Sequence, residues 1–378
     1  MTFTPTDSTR TLDAARRSFD SAVGAEIVLS ARRYVSFGGS SYLGLASNPY
    51  IIEAGITALR ECGSGAPVPS SHNVTTRALV DVETEARQFF ASPTSMYVNA
   101  GYYFGLAAMA AVRDHYDAVF FDEFAHYSLL EAIAAAGLPR YSYRHLDVDD
   151  VACQIKQYLG PRQRPLIVTD GLFSTVGEIA PLDELVRIVA AYDGRLVVDE
   201  SHSFGVLGAT GRGAVEHYTL QSAGLLRGGS LGKAFGTCGG IILAEESDVE
   251  PLRGSAVGRG ASTGLTAAAA MCAASIRFVG EHPEVLARLR ENIRYLKEGL
   301  ARLGLAIGGD APAPIASFST SSGNATRSLQ QALMREGIFV YHSTYVGAAE
   351  GGVIRCGIFA DHTREHLDAL LDALRRLL

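Results

Sequence analysis

Arg195-Leu196-Val197-Val198-Asp199-Glu200-Ser201-His202-Ser203-Phe204-Gly205 is the stretch whose reading decides the fold. Its apolar run shows no polar alternation, as a strand buried on both faces requires, and it stops at a carboxylate. Ala118 to Asp122, Pro165 to Asp170 and Gly240 to Ala244 read the same way. Helical patterns separate these runs, over Gly101 to Arg113, Tyr127 to Ala136, Val148 to Leu159 and Leu182 to Tyr192. Short strands alternating with helices predict an α/β fold with a mostly parallel sheet covered on both faces. Asp122, Asp170 and Asp199 each close a run. In open α/β sheets ligands gather at the carboxyl ends of strands, which makes these aspartates site candidates by position.

From about Thr266 the pattern changes to long amphipathic helices, with Pro283 to Leu303 the clearest. Short strand-like pieces follow at Ile315 to Phe318, Ile338 to Val340 and Val353 to Ile358, with Gly308 to Pro314 as a loop and a closing helix over Thr363 to Leu378. This predicts a smaller α+β domain. The chain divides into an N-terminal segment, 1–45, a large domain, 46–275, and a small one, 276–378.

The 378 residues carry a formal charge of −7 and a pI near 5.8, without a basic stripe, which argues against nucleic-acid binding. Met1 to Asp20 shows no apolar leader core, and no apolar run approaches the ~20 residues of a membrane helix, so a cytoplasmic protein is expected. The cysteines, Cys62, Cys153, Cys238, Cys272 and Cys356, are odd in number, far apart and without metal spacing, which argues against both disulfides and a zinc site.

Lysine is scarce: Lys156, Lys233 and Lys297 are set against arginine almost everywhere a surface cation is wanted. Lys233 sits in a glycine-rich loop, Gly228-Gly229-Ser230-Leu231-Gly232-Lys233-Ala234-Phe235-Gly236. What lysine has and arginine lacks is a pKa that can be pushed down and an amine that condenses with a carbonyl. The stretch fails as a phosphate P-loop, because Arg227 and Ala234 stand where that motif needs glycine and a hydroxyl. Gly205 to Gly213 fails as a dinucleotide fingerprint, having no GxGxxG. Pyridoxal 5′-phosphate fits better. It needs a lysine for a Schiff base, a carboxylate for its ring nitrogen, and small groups or a helix N-terminus for its phosphate. Lys233, Asp199 with His202, and the glycines are candidates for each part.

Three motifs, Gly-Ser-Leu-Gly-Lys233-Ala-Phe-Gly, Val-Asp199-Glu-Ser-His202-Ser-Phe-Gly and Asp122-Glu-Phe-Ala-His126-Tyr-Ser, resemble those of the α-oxoamine synthases, in the same order. The likeness runs from about Phe37 to Thr363. It implies an aspartate-aminotransferase-like fold, fold type I of the pyridoxal-phosphate enzymes, with a seven-stranded sheet. By resemblance Lys233 forms the Schiff base and later moves the Cα proton, Asp199 pairs with the ring nitrogen, and His202 bonds the ring hydroxyl. His126 stacks on the ring and orients an incoming thioester. Gly101 and Tyr102 match the backbone turn near the phosphate, and Ser174 and Ser230 match further cofactor contacts. Ser262 and Thr263 match a hydroxyl pair that reaches the neighbouring subunit's phosphate, which implies a homodimer with shared sites. Arg355 matches the arginine that grips the amino acid carboxylate, a task suited to its fork.

The sequence departs from that pattern at Ser40, a substrate-side position that is usually asparagine, at Leu79 in place of a histidine, and at Thr266-Ala267 in place of a proline pair. The resemblance implies an acyltransferase that condenses an amino acid with an acyl thioester, of coenzyme A or a carrier protein, and releases carbon dioxide to leave an α-amino ketone. Alternatives on the same scaffold are an aminotransferase, racemase or aldolase-type enzyme. A non-catalytic partner subunit is a further one, against which Lys233 argues.

Overall fold

A computed structural model describes residues 18–65, 74–221, 224–261 and 264–378; Ser262 and Thr263 lie outside them. β1 (Glu26–Leu29) and β2 (Arg32–Ser36) open the described chain as an antiparallel hairpin. β3 (Thr94–Val98), β4 (Ala118–Asp122), β5 (Arg140–Tyr143), β6 (Pro165–Asp170), β7 (Arg195–Asp199), β8 (Leu225–Ser230) and β9 (Gly240–Ala244) form a seven-stranded sheet in the order β3-β9-β8-β7-β6-β4-β5. Only β9 runs against the others, so the sheet is mostly parallel, as the sequence predicts.

The unbroken apolar character of the strands has a direct cause. On β7, Leu196 and Val198 enter one apolar cluster with Phe90 and Ile276, while Val197 enters a second cluster on the opposite face with Phe104, Met109 and Ile133. Helices Arg77–Phe90 and Thr266–Glu281 supply the first cover, and Tyr103–Val112 and Tyr127–Ala136 the second. Each fully buried aliphatic side chain contributes about 1.5–3 kcal/mol, so a polar residue at any of these positions costs a large share of the net stability.

One sequence expectation is corrected. The glycine-rich stretch before Lys233 is not all loop: Leu225 to Ser230 is strand β8, paired with β7 and β9. Gly228 is there for close approach, since a Cβ would meet the Ile241 carbonyl oxygen at 2.5 Å and the Phe104 ring at the same distance. Register then places the site. Asp170 lies opposite Asp199, Asp199 opposite Gly228, and Ser230 opposite Gly240, so one row of strand ends holds two carboxylates and the start of the lysine turn.

The remaining strands are β10 (Ile315–Phe318), β11 (Ile338–Phe339), β12 (Tyr341–Ser343) and β13 (Val353–Gly357). β10, β13 and β12 make an antiparallel sheet, and β11 pairs in parallel with β2 of the opening hairpin. Helices Pro283–Arg302, Gly323–Arg335 and Arg364–Leu377 pack around them, the last started by Thr363, whose side chain accepts from the His366 amide. In β13, Arg355 lies between Ser317 and Tyr341, which directs it toward the ends of the large sheet's strands. Among the described residues no helix is long and apolar enough to cross a membrane.

Candidate active site

A cavity of about 300 Å³ opens where β6, β7 and β8 end, lined by Asp170, Asp199, His202, Ser230 and Lys233, with His126 and Tyr102 on its rim. Lys233 sits on the turn after β8, three residues past its last strand residue. Burial holds its amine below the usual lysine range and Arg355 pushes the same way, against the opposing pull of Asp199. An amine with weakened hold on its proton, beside a carboxylate, is suited both to condense with an aldehyde and to shuttle a proton.

His126 has two tasks. It is the N-cap of helix Tyr127–Ala136, its Nδ1 accepting from the Ser128 amide at 3.2 Å, and its ring projects into the cavity rim. The backbone amide of His126 donates to Asp170 Oδ2 at 2.9 Å, which ties the cap to the strand end. Burial keeps the His126 ring below the ordinary histidine value, with Lys233 adding and Asp199 opposing. Burial, and then the neighbouring Asp199, push Asp170 well above the usual carboxylate range. Asp199 itself accepts from the Ser201 amide at 2.8 Å.

A second cavity of about 420 Å³ adjoins the first, and His202 lines both. Ser40, Ser174, Thr175 and Arg355 lie on its walls. The Arg355 guanidinium is held from three sides: Nε donates to the Ser174 carbonyl at 2.6 Å, Nη1 to the Gly39 carbonyl at 2.8 Å, and Nη2 to the Tyr42 hydroxyl at 3.1 Å. One N–H on each Nη is left over for a carboxylate. Burial raises the Tyr42 phenol above its ordinary value, so it keeps its proton, and the acceptor that this buried O–H faces is His202 Nδ1, 2.7 Å away. Burial, with Lys233 and Arg355 nearby, drives His202 well below the usual histidine range, so the ring is neutral and carries its proton on Nε2. The result is a fixed N–H donor between the two cavities.

The structure thus brings together Lys233, Asp199, His202, His126, Gly101, Tyr102 and Ser230 around one cavity, and Arg355 and Ser40 around the next. Ser174 is placed beside Arg355, through its carbonyl, and lines the second cavity. Ser230 Oγ accepts from the Gly232 amide at 3.0 Å, which shapes the turn that carries the lysine. Sequence reasoning assigned no role to Tyr42, Ser201 or Tyr345. Tyr42 lies inside a motif the resemblance covers, but nothing along the chain links it to Arg355, 313 positions away.

These residues fit pyridoxal phosphate. The donor set offers an amine, a carboxylate at a strand end and a neutral imidazole N–H. The N-terminus of helix Tyr103–Val112 begins at Gly101 and Tyr102, where amide groups suit a phosphate. Gly101 has to be bare: a Cβ would lie 2.4 Å from the Ser230 Cα, so the cradle closes only around a glycine.

Comparison with known proteins agrees with this geometry. The family model for aminotransferase class I and II matches residues 32–374. An 8-amino-7-oxononanoate synthase of Fervidobacterium nodosum is 32% identical over 366 residues, 96% of this chain and 92% of its own length. One from Nitrosococcus oceani is 33% identical over 98% of both chains. Among solved structures, a serine palmitoyltransferase of Sphingomonas wittichii superposes with a TM-score of 0.91 at 24% identity, covering 98% of this chain and 94% of that one.

Proposed function

The chain belongs to the aminotransferase class I and II family and to its α-oxoamine synthases, and from that premise we propose how its site works as a pyridoxal-phosphate-dependent acyltransferase. It joins an amino acid to an acyl thioester. The observation that carries the reading is the strand register, which sets Asp199 beside the turn of Lys233 at one cavity, next to a second cavity holding an anchored arginine.

Lys233, Asp199, His202, His126, Gly101, Tyr102 and Ser230 would hold the cofactor. Bound there, pyridoxal phosphate supplies a ring that spreads negative charge from the amino acid Cα. Asp199 would keep a positive charge favourable at the ring nitrogen, and His202 would donate to the cofactor from Nε2. Arg355 takes the amino acid carboxylate on its two remaining N–H groups, with Ser40 and Ser174 on the same wall. Lys233 Nζ, its proton affinity lowered by burial, receives the Cα proton. His126 then orients the thioester. Release of carbon dioxide after condensation leaves an α-amino ketone.

The working unit is a homodimer in this reading. Tyr102 and Leu265, large side chains near the cavity and near the Ser262-Thr263 motif, are 42% and 60% exposed in the single chain. Residues 46–275 form the cofactor domain and 276–378 the small domain, and the five free cysteines suit a reducing cytoplasm.

The test is visible absorption with a free-thiol assay, on wild type and Lys233→Ala. Wild type should show a cofactor band, respond to one amino acid, and release thiol when a thioester is added. Lys233→Ala should lose the band and at least about 10³-fold of the rate. Amino group transfer or racemisation without thiol release would replace the synthase reading with one of the other reactions of this fold.

A further inference from the structure

The segment between β12 and β13 reaches across to the cap of helix Tyr127–Ala136. Gly347, at φ +80°, lies against the Phe124 ring, where a Cβ would come within 3.2 Å. Beside it the Tyr345 ring packs edge-on against Tyr127, with centroids 5.0 Å apart. The Tyr345 hydroxyl lies 3.1 Å from His126 Nε2, 219 positions away in sequence. Tyr345 lines the cavity of Arg355 and Ser40, and His126 lines that of Lys233, so their bond stands where the two cavities meet.

The direction of this bond follows from the other end of the imidazole. His126 Nδ1 accepts from the Ser128 amide at 3.2 Å and faces the Ser128 hydroxyl at 2.8 Å. A neutral His126 therefore carries its proton on Nε2, and Nε2–H donates to the Tyr345 oxygen. Burial keeps His126 neutral, and burial, then Tyr127, raise the Tyr345 phenol above its ordinary value, so it keeps its own proton. With its oxygen accepting from His126, the phenol has its O–H left to give.

We propose that Tyr345 is a catalytic residue of the acyl-transfer step: oriented by His126, its hydroxyl donates to the carbonyl oxygen of the acyl thioester. The proposal rests on the synthase reading. As the amino acid Cα bonds to the acyl carbon, the carbonyl π pair moves onto oxygen, where the Tyr345 O–H meets it. When that pair returns, the carbon–sulfur bond breaks and thiolate leaves. A donor fixed before charge develops stabilises the transition state more than the ground state. Tyr345 also accounts for the place of His126. The imidazole is pinned at Nδ1 by its own helix and at Nε2 by the other side of the cleft, so it positions the donor while facing the cofactor cavity.

Tyr345→Phe keeps the ring and its packing on Tyr127 and removes only the hydroxyl. Two measurements are made on the full chain. Imidazole NMR of His126, with and without cofactor, should show the Nε2–H signal moved and the ring protonating at lower pH, because the phenol oxygen no longer supports the charged form against burial; Asp199, Lys233 and His202 stay beside the ring unchanged, and Asp170 keeps the His126 backbone amide. In the loaded enzyme, the cofactor band and its response to the amino acid alone should match wild type. Thiol release should fall in kcat by roughly 10- to 100-fold, with little change in KM for the thioester. An unchanged His126 signal with thiol release within about twofold of wild type overturns the proposal. A rise in KM alone also overturns the catalytic role and leaves Tyr345 a binding contact. Absence of thiol release in wild type is a failure of the synthase reading; the acyl role then falls with it, and the His126 signal decides separately whether Tyr345 holds the imidazole.

Discussion

The carboxyl ends of β4 and β7 each carry an aspartate, and the two ends are built to opposite purposes. At β4, Asp122 Oδ1 accepts from the Phe124 amide and from His145 Nδ1, both at 2.8 Å, and Oδ2 accepts from the Leu146 amide at 3.0 Å. His145 continues to Glu178 at 3.0 Å and is flanked by Phe124 and Phe173. Asp122, His145 and Glu178 all have protein partners there. At β7, Asp199 accepts from the Ser201 amide and then faces a cavity, beside Asp170, Lys233 and the neutral rings of His126 and His202. Groups gathered at such a density, and left facing open space, destabilise the free protein unless a ligand completes them. That arrangement marks a site, whereas a satisfied buried cluster marks architecture.

The comparison breaks first at Asp199. Asp199→Asn keeps the shape and removes the charge that favours a proton on Lys233 and, in the proposed function, a positive charge at the cofactor ring nitrogen. Thiol release should fall by roughly 10²-fold or more with the fold intact by circular dichroism. If the variant turns over at the wild-type rate, the β7 end is no more functional than the β4 end.

A smaller effect is expected from Tyr42, which touches the site only through Arg355 and His202. Tyr42→Phe takes away the acceptor of Arg355 Nη2 and the donor to His202 Nδ1. Arg355 keeps the Ser174 and Gly39 carbonyls, so the fork loosens without swinging free. The amino acid KM should rise about three- to tenfold, read from titration of the cofactor band, while the thioester KM holds. An unchanged amino acid KM would mean that the two carbonyls alone orient the guanidinium.

The asymmetry between these regions also explains what the sequence could disclose. Asp199, His202 and Lys233 were legible because each lies within a few residues of a strand end or a turn, where local pattern and position carry the message. Tyr345 was not, because its partner His126 sits 219 positions earlier and the packing of the β12–β13 segment on Phe124 and Tyr127 brings them together. The fold shows the same division. β4, β6, β7 and β9 announced themselves as apolar runs, whereas β8 hid behind its glycines, which sheet pairing turned into strand. β5, Arg140-Tyr141-Ser142-Tyr143, lies at the sheet edge with only Tyr143 buried, and so carried too little apolar signal to register. The resemblance added the roles of the cofactor ligands but carried no information on which contacts span the two cavities.

The least effect on catalysis is expected at the β4 end, and there the change should appear in stability. Burial works against charge on His145, but its bonds to Asp122 and Glu178 outweigh it and push the ring up to about 9. An unfolded histidine titrates near 6.5, so the folded state binds this proton more tightly. The stabilisation is fully present below about pH 6.5 and fades as pH rises through about 9. Because the Glu178 side chain is 36% exposed, part of the gain is screened, and about 1–2 kcal/mol remains at neutral pH. His145→Gln keeps a polar group and cannot take the charge. The stability gap between wild type and this variant, measured by urea unfolding, should close by about 1–2 kcal/mol between pH 6 and pH 10, while thiol release at pH 7 stays within about twofold. A gap that does not change with pH would mean that His145 is neutral between its two carboxylates. A large loss of activity at constant stability would instead move the β4 end into the site, and the contrast drawn from the two aspartates would have to be given up.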